Sequence, residues 1–172
     1  IPAYSVEEVR SRTVEHPTWL HFGAGNIFRA FMARLQQRLL EQGEAEVGIV
    51  VAEAFDEELI DRLYRPLECL SILVTLKGDG SFDKEVIASV AEALKLSTDL
   101  DTLRRIFRDP GLQMVSMTIT EKGYALQDLE GNYLPGIRAD LEAGPSGAHT
   151  MMGLLTALLL HRYQNGAAPL AV

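Results

Sequence analysis

At 172 residues the chain is long enough for one well-packed domain and too short for two large ones. Its 47% hydrophobic and 23% charged residues are the composition of an ordinary soluble globular protein. A formal net charge of -8 with no basic cluster argues against a nucleic-acid partner, whose phosphates need clustered Lys and Arg.

The single cysteine, Cys69, lies in an apolar strand-like run. It excludes an intrachain disulfide or a cysteine-rich zinc site and reads as a buried thiol. His149 and His161 are too far apart for one helical metal pair, so no metal is expected. No signal-peptide pattern opens the chain, and the longest apolar stretch, Met151 to Leu160, is too short to span a bilayer. A cytoplasmic setting without a membrane partner is the expectation.

In chain order, the first predicted element is a strand at Trp19–Phe22, which runs into Gly23-Ala24-Gly25 and then a helix over about Ile27 to Gln42, closed by Gly43. Strand, glycine turn and helix are what a dinucleotide pyrophosphate needs. Gly23 allows a sharp turn, Gly25 lets the backbone approach the phosphates, and the first N–H groups of the helix face the anion. The third glycine of the usual fingerprint is replaced by Phe28. Arg29, in the first helical turn, can reach a phosphate. His21, just before the turn, reads as a hydrogen-bonded strand residue.

The second strand, Val47 to Ala52, is an unbroken apolar run of the kind covered on both faces of a parallel sheet. Glu53 follows it where a ribose-binding carboxylate belongs, which predicts NAD over NADP, and the same loop offers a second acid, Asp56. Asp56 can cap a short helix, Glu57 to Tyr64, that Pro66 terminates. Ser71–Leu76 and Phe82–Val90 around Gly78-Asp79-Gly80 predict a β-hairpin, although Val86 to Leu96 is equally compatible with helix. A helix capped by Asp99 ends at Asp109-Pro110-Gly111, and a strand spans Gln113–Thr120. A loop and a small linker, Gly144–Gly147, lead to a helix over His149–Tyr163, an Asn165-Gly166 stop and a last strand beginning at Pro169. Alternating strands and helices predict an α/β fold, a doubly wound, mostly parallel, Rossmann-like sheet with a hairpin insertion, in one domain over residues 1–172.

Thr118-Ile119-Thr120-Glu121-Lys122-Gly123-Tyr124 closes the later strand with polar residues, at the rim where an open α/β sheet binds ligand. Thr120 and Glu121 are candidates to meet that ligand. Lys122 is a poor candidate base, because a neighbouring carboxylate raises its pKa.

HFGAGNIFRAF together with TITEKGY resembles the polyol-specific long-chain dehydrogenase/reductase family, the mannitol dehydrogenase type, over essentially the whole chain. The resemblance implies an N-terminal Rossmann-like domain followed by a helical domain, and metal-free hydride transfer between NAD and a sugar alcohol or keto sugar. Hexuronate reductases acting on fructuronate or tagaturonate are the alternative within the family. Gly23, Ala24, Gly25, Asn26, Ile27, Phe28 and Arg29 match its cofactor loop; many members carry histidine where Phe28 stands. Glu121 matches the acid at the cofactor mouth, with a proton-relay role implied, and the catalytic lysine with its asparagine and histidine is implied to lie beyond Val172.

The rivals from other classes are a non-catalytic nucleotide-sensing module and a purely structural α/β domain. The chain opens at Ile1 without methionine and ends on apolar Pro169–Val172, so a fragment of a longer protein is expected. Self-association through the edge of its last strand is expected with it.

Overall fold

The computed structural model describes residues 2–172. It forms two compact units, the first running through Asp99 with Gly111–Thr118 and Leu170–Val172, the second comprising Leu100–Pro110 and Ile119–Pro169.

The first unit opens with a helix that the expected strand-first order omits, α1 (Val6–Glu15). The Ser5 hydroxyl accepts the Glu8 N–H at 3.3 Å, and Glu8 stands at the third helical position, a capping-box spacing. Only Val9 and Thr13 of this helix are buried, which is why hydrophobic periodicity does not reveal it.

Two fully buried strands, β1 (Trp19–Phe22) and β2 (Ile49–Glu53), form the centre of the sheet and pair in parallel with Leu20 opposite Val50. The hairpin follows, β3 (Ser71–Leu76) against β4 (Phe82–Ile87), antiparallel with Ser71 opposite Ile87 and Leu76 opposite Phe82. β5 (Val90–Lys95) pairs in parallel with β2, and β6 (Met114–Met117) with β1. The strand order is therefore β5-β2-β1-β6. Ala171 bridges Met114 in parallel, its N–H donating to the Gln113 carbonyl at 3.0 Å, so the chain end stands outside β6. Counting parallel strands along the chain, the spatial sequence third, second, first, fourth is that of a Rossmann half-sheet. The expected α/β class with a hairpin insertion is the one found.

The open question at Val86–Leu96 resolves into two strands, neither of them helical. The hairpin ends at Ile87 and the chain breaks direction at Ala88-Ser89. There the Gln37 side chain accepts the Ala88 N–H and donates to the Val86 carbonyl, each at 2.6 Å. The Ile49 N–H donates to the Ser89 carbonyl at 2.9 Å, and Gly48 lies so close that a Cβ on it would sit 2.3 Å from that oxygen. Those long-range bonds override a local sequence compatible with helix.

The helix after the glycine turn also departs from expectation. Phe28–Met32 is a π turn that continues as α2 (Ala33–Glu41), with the Ala33 N–H reaching back five residues to the Phe28 carbonyl. The extra residue shifts the phase of the helix face. Phe28, Ala33 and Leu40 are buried, whereas Phe31 and Leu35, which regular α-helical periodicity puts on the face of Phe28 at i+3 and i+7, are 66% and 52% exposed. The expected Gly43 stop is present, with φ of 72°, Glu44 N–H bonded to the Leu39 carbonyl and Gly43 N–H to the Leu40 carbonyl. The short helix expected over Glu57–Tyr64 holds a second π turn, Ile60–Tyr64. Trp19, Phe28, Ile49, Val51, Ile60 and Tyr64 form the core beneath these elements.

The second unit contains α3 (Leu100–Arg108), a short α4 (Glu121–Tyr124), α5 (Pro135–Ala143) and α6 (Met151–Gln164). α5 falls where a loop is expected; Pro135 supplies its first turn. The buried Asp140 carboxylate on α5 accepts the His149 and Thr150 N–H groups at 2.8 and 3.0 Å, while Thr150 caps α6 through the Gly153 N–H. Among the described residues no helix is long and apolar enough to cross a membrane.

Candidate cofactor site

The site begins at the carboxyl end of β1, where Phe22 gives way to Gly23. Gly23 has φ of 105°, and a Cβ there would lie 2.7 Å from the Thr118 carbonyl oxygen, so both backbone angle and space demand glycine. Gly25 is different: a Cβ on it would meet nothing within 4 Å. The loop is thus closed on its Gly23 side and open at Gly25.

The first bond of the following helix runs from the Arg29 N–H to the Gly25 carbonyl at 3.2 Å. The N–H groups of Gly25, Asn26, Ile27 and Phe28 precede that ladder and have no intrahelical acceptor, the arrangement that suits an anion. Arg29 donates to the Asn26 side-chain oxygen and, at 3.4 Å, to the Ala24 carbonyl. The Phe28 side chain is fully buried and stacks on His21 with ring centres 4.4 Å apart, so what Phe28 can offer a ligand is its backbone N–H.

Glu53, expected to face a ribose, is buried. One carboxylate oxygen accepts the Ala24 N–H at 2.7 Å; the other accepts Ala54 and Phe55 N–H at 3.0 Å and Asp56 N–H at 3.4 Å. It ties the turn after β2 to the glycine loop. Asp56 is the exposed acid of that turn.

Tyr64 is a residue that sequence reasoning misses here. Its buried hydroxyl donates to the Ala24 carbonyl at 2.7 Å, and the Arg29 guanidinium lies 5.9 Å above its ring. Burial pushes the phenol pKa up, so it remains a donor. Nothing in the local sequence marks Tyr64, because its partner is forty residues away.

Behind the loop, His21 is wholly buried with Nδ1 2.7 Å from the Ser116 hydroxyl and Nε2 3.0 Å from the Thr118 hydroxyl. Trp19 also donates to Ser116, at 2.7 Å. Desolvation lowers the His21 pKa to about 4, which keeps the ring neutral at pH 7. A signal for this group existed: His21 and Ser116 are polar interruptions of two apolar strands, and they stand opposite one another in register.

Thr120 and Glu121 fall in the second unit. Thr120 is the extended N-cap of α4, and Glu121, like Lys122, is an exposed residue of its first turn. Among the described residues, no three His, Cys, Asp or Glu side chains are placed to hold a metal ion.

The family described as the mannitol dehydrogenase Rossmann domain matches residues 17–172. The D-mannonate oxidoreductase of Thermotoga maritima is 48% identical over 99% of this chain and 32% of its own length. The D-arabinitol 4-dehydrogenase of Ralstonia nicotianae is 34% identical over 95% of this chain and 36% of its own. Among solved structures, mannitol 2-dehydrogenase of Pseudomonas fluorescens in a ternary complex with NAD and D-mannitol superposes with a TM-score of 0.82 at 28% identity, covering 98% of this chain and 34% of that one. The chain spans about a third of the length of the curated relatives it matches.

Proposed function

Because the chain belongs to the mannitol dehydrogenase family, through its Rossmann domain, we propose that it is the dinucleotide-binding part of an NAD-dependent oxidoreductase acting on a polyol or its keto sugar. The observation that carries this reading is the loop itself, a closed Gly23 turn, an open Gly25 and four N–H groups ahead of the helical ladder. When bound, NAD supplies the hydride acceptor; the chain's part is to hold and orient it. The N–H groups of Gly25, Asn26, Ile27 and Phe28 receive the pyrophosphate, Arg29 adds a cation, and Ala24 and Glu53 keep the loop in shape. Asp56, exposed in the turn after β2, is our choice of acid for the ribose hydroxyls and for repelling a 2′-phosphate, which favours NAD over NADP. Glu121, in the first turn of α4, is assigned the role of proton relay.

A second reading changes only the substrate. The 48% identity to a protein named D-mannonate oxidoreductase, against 34% for the arabinitol enzyme, favours a sugar acid as the alcohol that is oxidised.

Titration calorimetry with NAD tests the cofactor reading. The unsubstituted chain is expected to bind NAD, and Gly25→Val to abolish binding without loss of fold, since a Cβ at Gly25 meets no protein atom within 4 Å and the branched side chain would occupy the phosphate approach. A folded Gly25→Val chain with unchanged affinity would place the dinucleotide elsewhere.

A further inference from the structure

The geometry points to a clamp on the two peptide groups flanking Ala24, closed by Glu53 and Tyr64, as the device that presets the pyrophosphate loop, with Glu53 acting as a positioning residue and not as a ligand of the ribose. This inference rests on the reading of the loop as the dinucleotide site.

The Glu53 carboxylate is 6% exposed and accepts four backbone N–H groups, those of Ala24, Ala54, Phe55 and Asp56. A carboxylate offers about four acceptor positions, so a ribose hydroxyl could be accepted only by displacing a backbone donor and leaving it unpaired. The N–H of Ala24 is thereby fixed from β2. Its carbonyl is fixed from the helical turn beyond β2 by the Tyr64 hydroxyl at 2.7 Å, and from the π turn that follows the loop by Arg29 at 3.4 Å.

Because the peptide between Ala24 and Gly25 is planar and trans, pinning the Ala24 carbonyl toward Tyr64 aims the Gly25 N–H the opposite way. The preceding turn is held in turn by the Gly23 N–H on the Ala52 carbonyl at 2.8 Å. The donor that a phosphate meets first is thus oriented before any ligand arrives, and no ordering cost falls on binding.

Two isosteric substitutions test the clamp. Glu53→Gln replaces one acceptor oxygen by an NH2 group facing N–H donors, and Tyr64→Phe removes only the hydroxyl. Each is measured for NAD and NADP affinity by calorimetry and for exchange of the Ala24 amide hydrogen in the ligand-free chain. The expected result is faster Ala24 exchange in both variants, with weaker binding of both dinucleotides, about tenfold for Glu53→Gln and severalfold for Tyr64→Phe. The ratio of NAD to NADP affinity is expected to stay within about threefold, because the two ligands share the pyrophosphate that the loop holds.

A Glu53→Gln chain that loses its NAD preference while Ala24 exchange is unchanged would overturn the clamp and make Glu53 a ribose ligand. Unchanged affinities in Tyr64→Phe would overturn it even where Glu53→Gln fails to fold. An unsubstituted chain that binds neither dinucleotide would overturn the cofactor reading and this inference together, whereas normal binding by all three chains would overturn the clamp alone.

Discussion

His21 sits in the centre of the parallel sheet with both ring nitrogens bonded to hydroxyls, and its burial holds the pKa at about 4 against an ordinary 6.5. Between those values the unfolded chain binds a proton that the folded chain refuses. The His21 contribution to stability is therefore constant above pH 6.5, falls as pH drops through the window toward 4, and levels below it. The full span corresponds to roughly 3 kcal/mol. In His21→Gln that portion of the slope is expected to disappear, whatever the variant's absolute stability. Urea denaturation of both chains at several pH values between 4.5 and 7 checks it, and parallel pH profiles would show that His21 titrates normally in the fold. The neighbouring glycines show the same dependence on surroundings. Gly23 is required by a positive φ and a close Thr118 carbonyl, whereas Gly25 is unconstrained by protein atoms and becomes meaningful only with a ligand present.

Elements in this chain are joined by single buried polar side chains as much as by apolar faces. Gln36 and Gln37 of α2 donate to the carbonyls of Val47 and Val86, each at 2.6 Å, and so place the helix against the loop that leads into β2 and against β4. In the second unit Arg162 of α6 is 3% exposed and donates to the carbonyls of Phe107, Asp109 and Ala168 at 2.8, 2.9 and 2.6 Å. One planar guanidinium thus fastens α6 to the end of α3 and to the chain that follows α6. A lysine cannot reproduce that fork. Arg162→Lys is expected to destabilise the protein by about 2–4 kcal/mol, read as a lower denaturation midpoint with an unchanged slope. A midpoint equal to that of the unsubstituted chain would mean that those carbonyls find other donors.

For the whole molecule, the proposed activity divides between binding and chemistry. Oxidation of a secondary alcohol requires a base beside the carbinol. In the unit that carries the loop, His21 is buried and neutral and Glu53 is occupied by backbone donors, so neither serves. Positioning a substrate against the nicotinamide contributes about 7–11 kcal/mol to reactions of this kind, and the chain spans about a third of the length of its relatives. The chain alone is expected to bind NAD without turning over D-mannitol, D-arabinitol or D-mannonate. Following NADH absorbance with each substrate, after contaminating enzyme has been removed, checks this; turnover would place the base within these residues and direct attention to Glu121 or Lys122.

The sequence by itself determined the features that are local. Sterics at Gly23, the apolar runs of β1 and β2, the Gly43 stop and the hairpin around Asp79 each depend on a few adjacent residues, and each was legible without a structure. The glycine turn followed by a helix was enough to locate the candidate cofactor loop. Tertiary structure decided what depends on distant partners. The π turn at Phe28–Met32 rotated a helix face that simple periodicity misassigned, and Val90–Lys95 became a sheet strand because β2 was there to receive it. Glu53 was found in the sequence but its work was not, since only three of the N–H groups that saturate it come from the turn that follows it, and the fourth, that of Ala24, arrives only when residues 24 and 53 meet. Tyr64 was invisible for the same reason: a hydrogen bond spanning forty residues leaves no periodic trace, and only chain folding selects its acceptor.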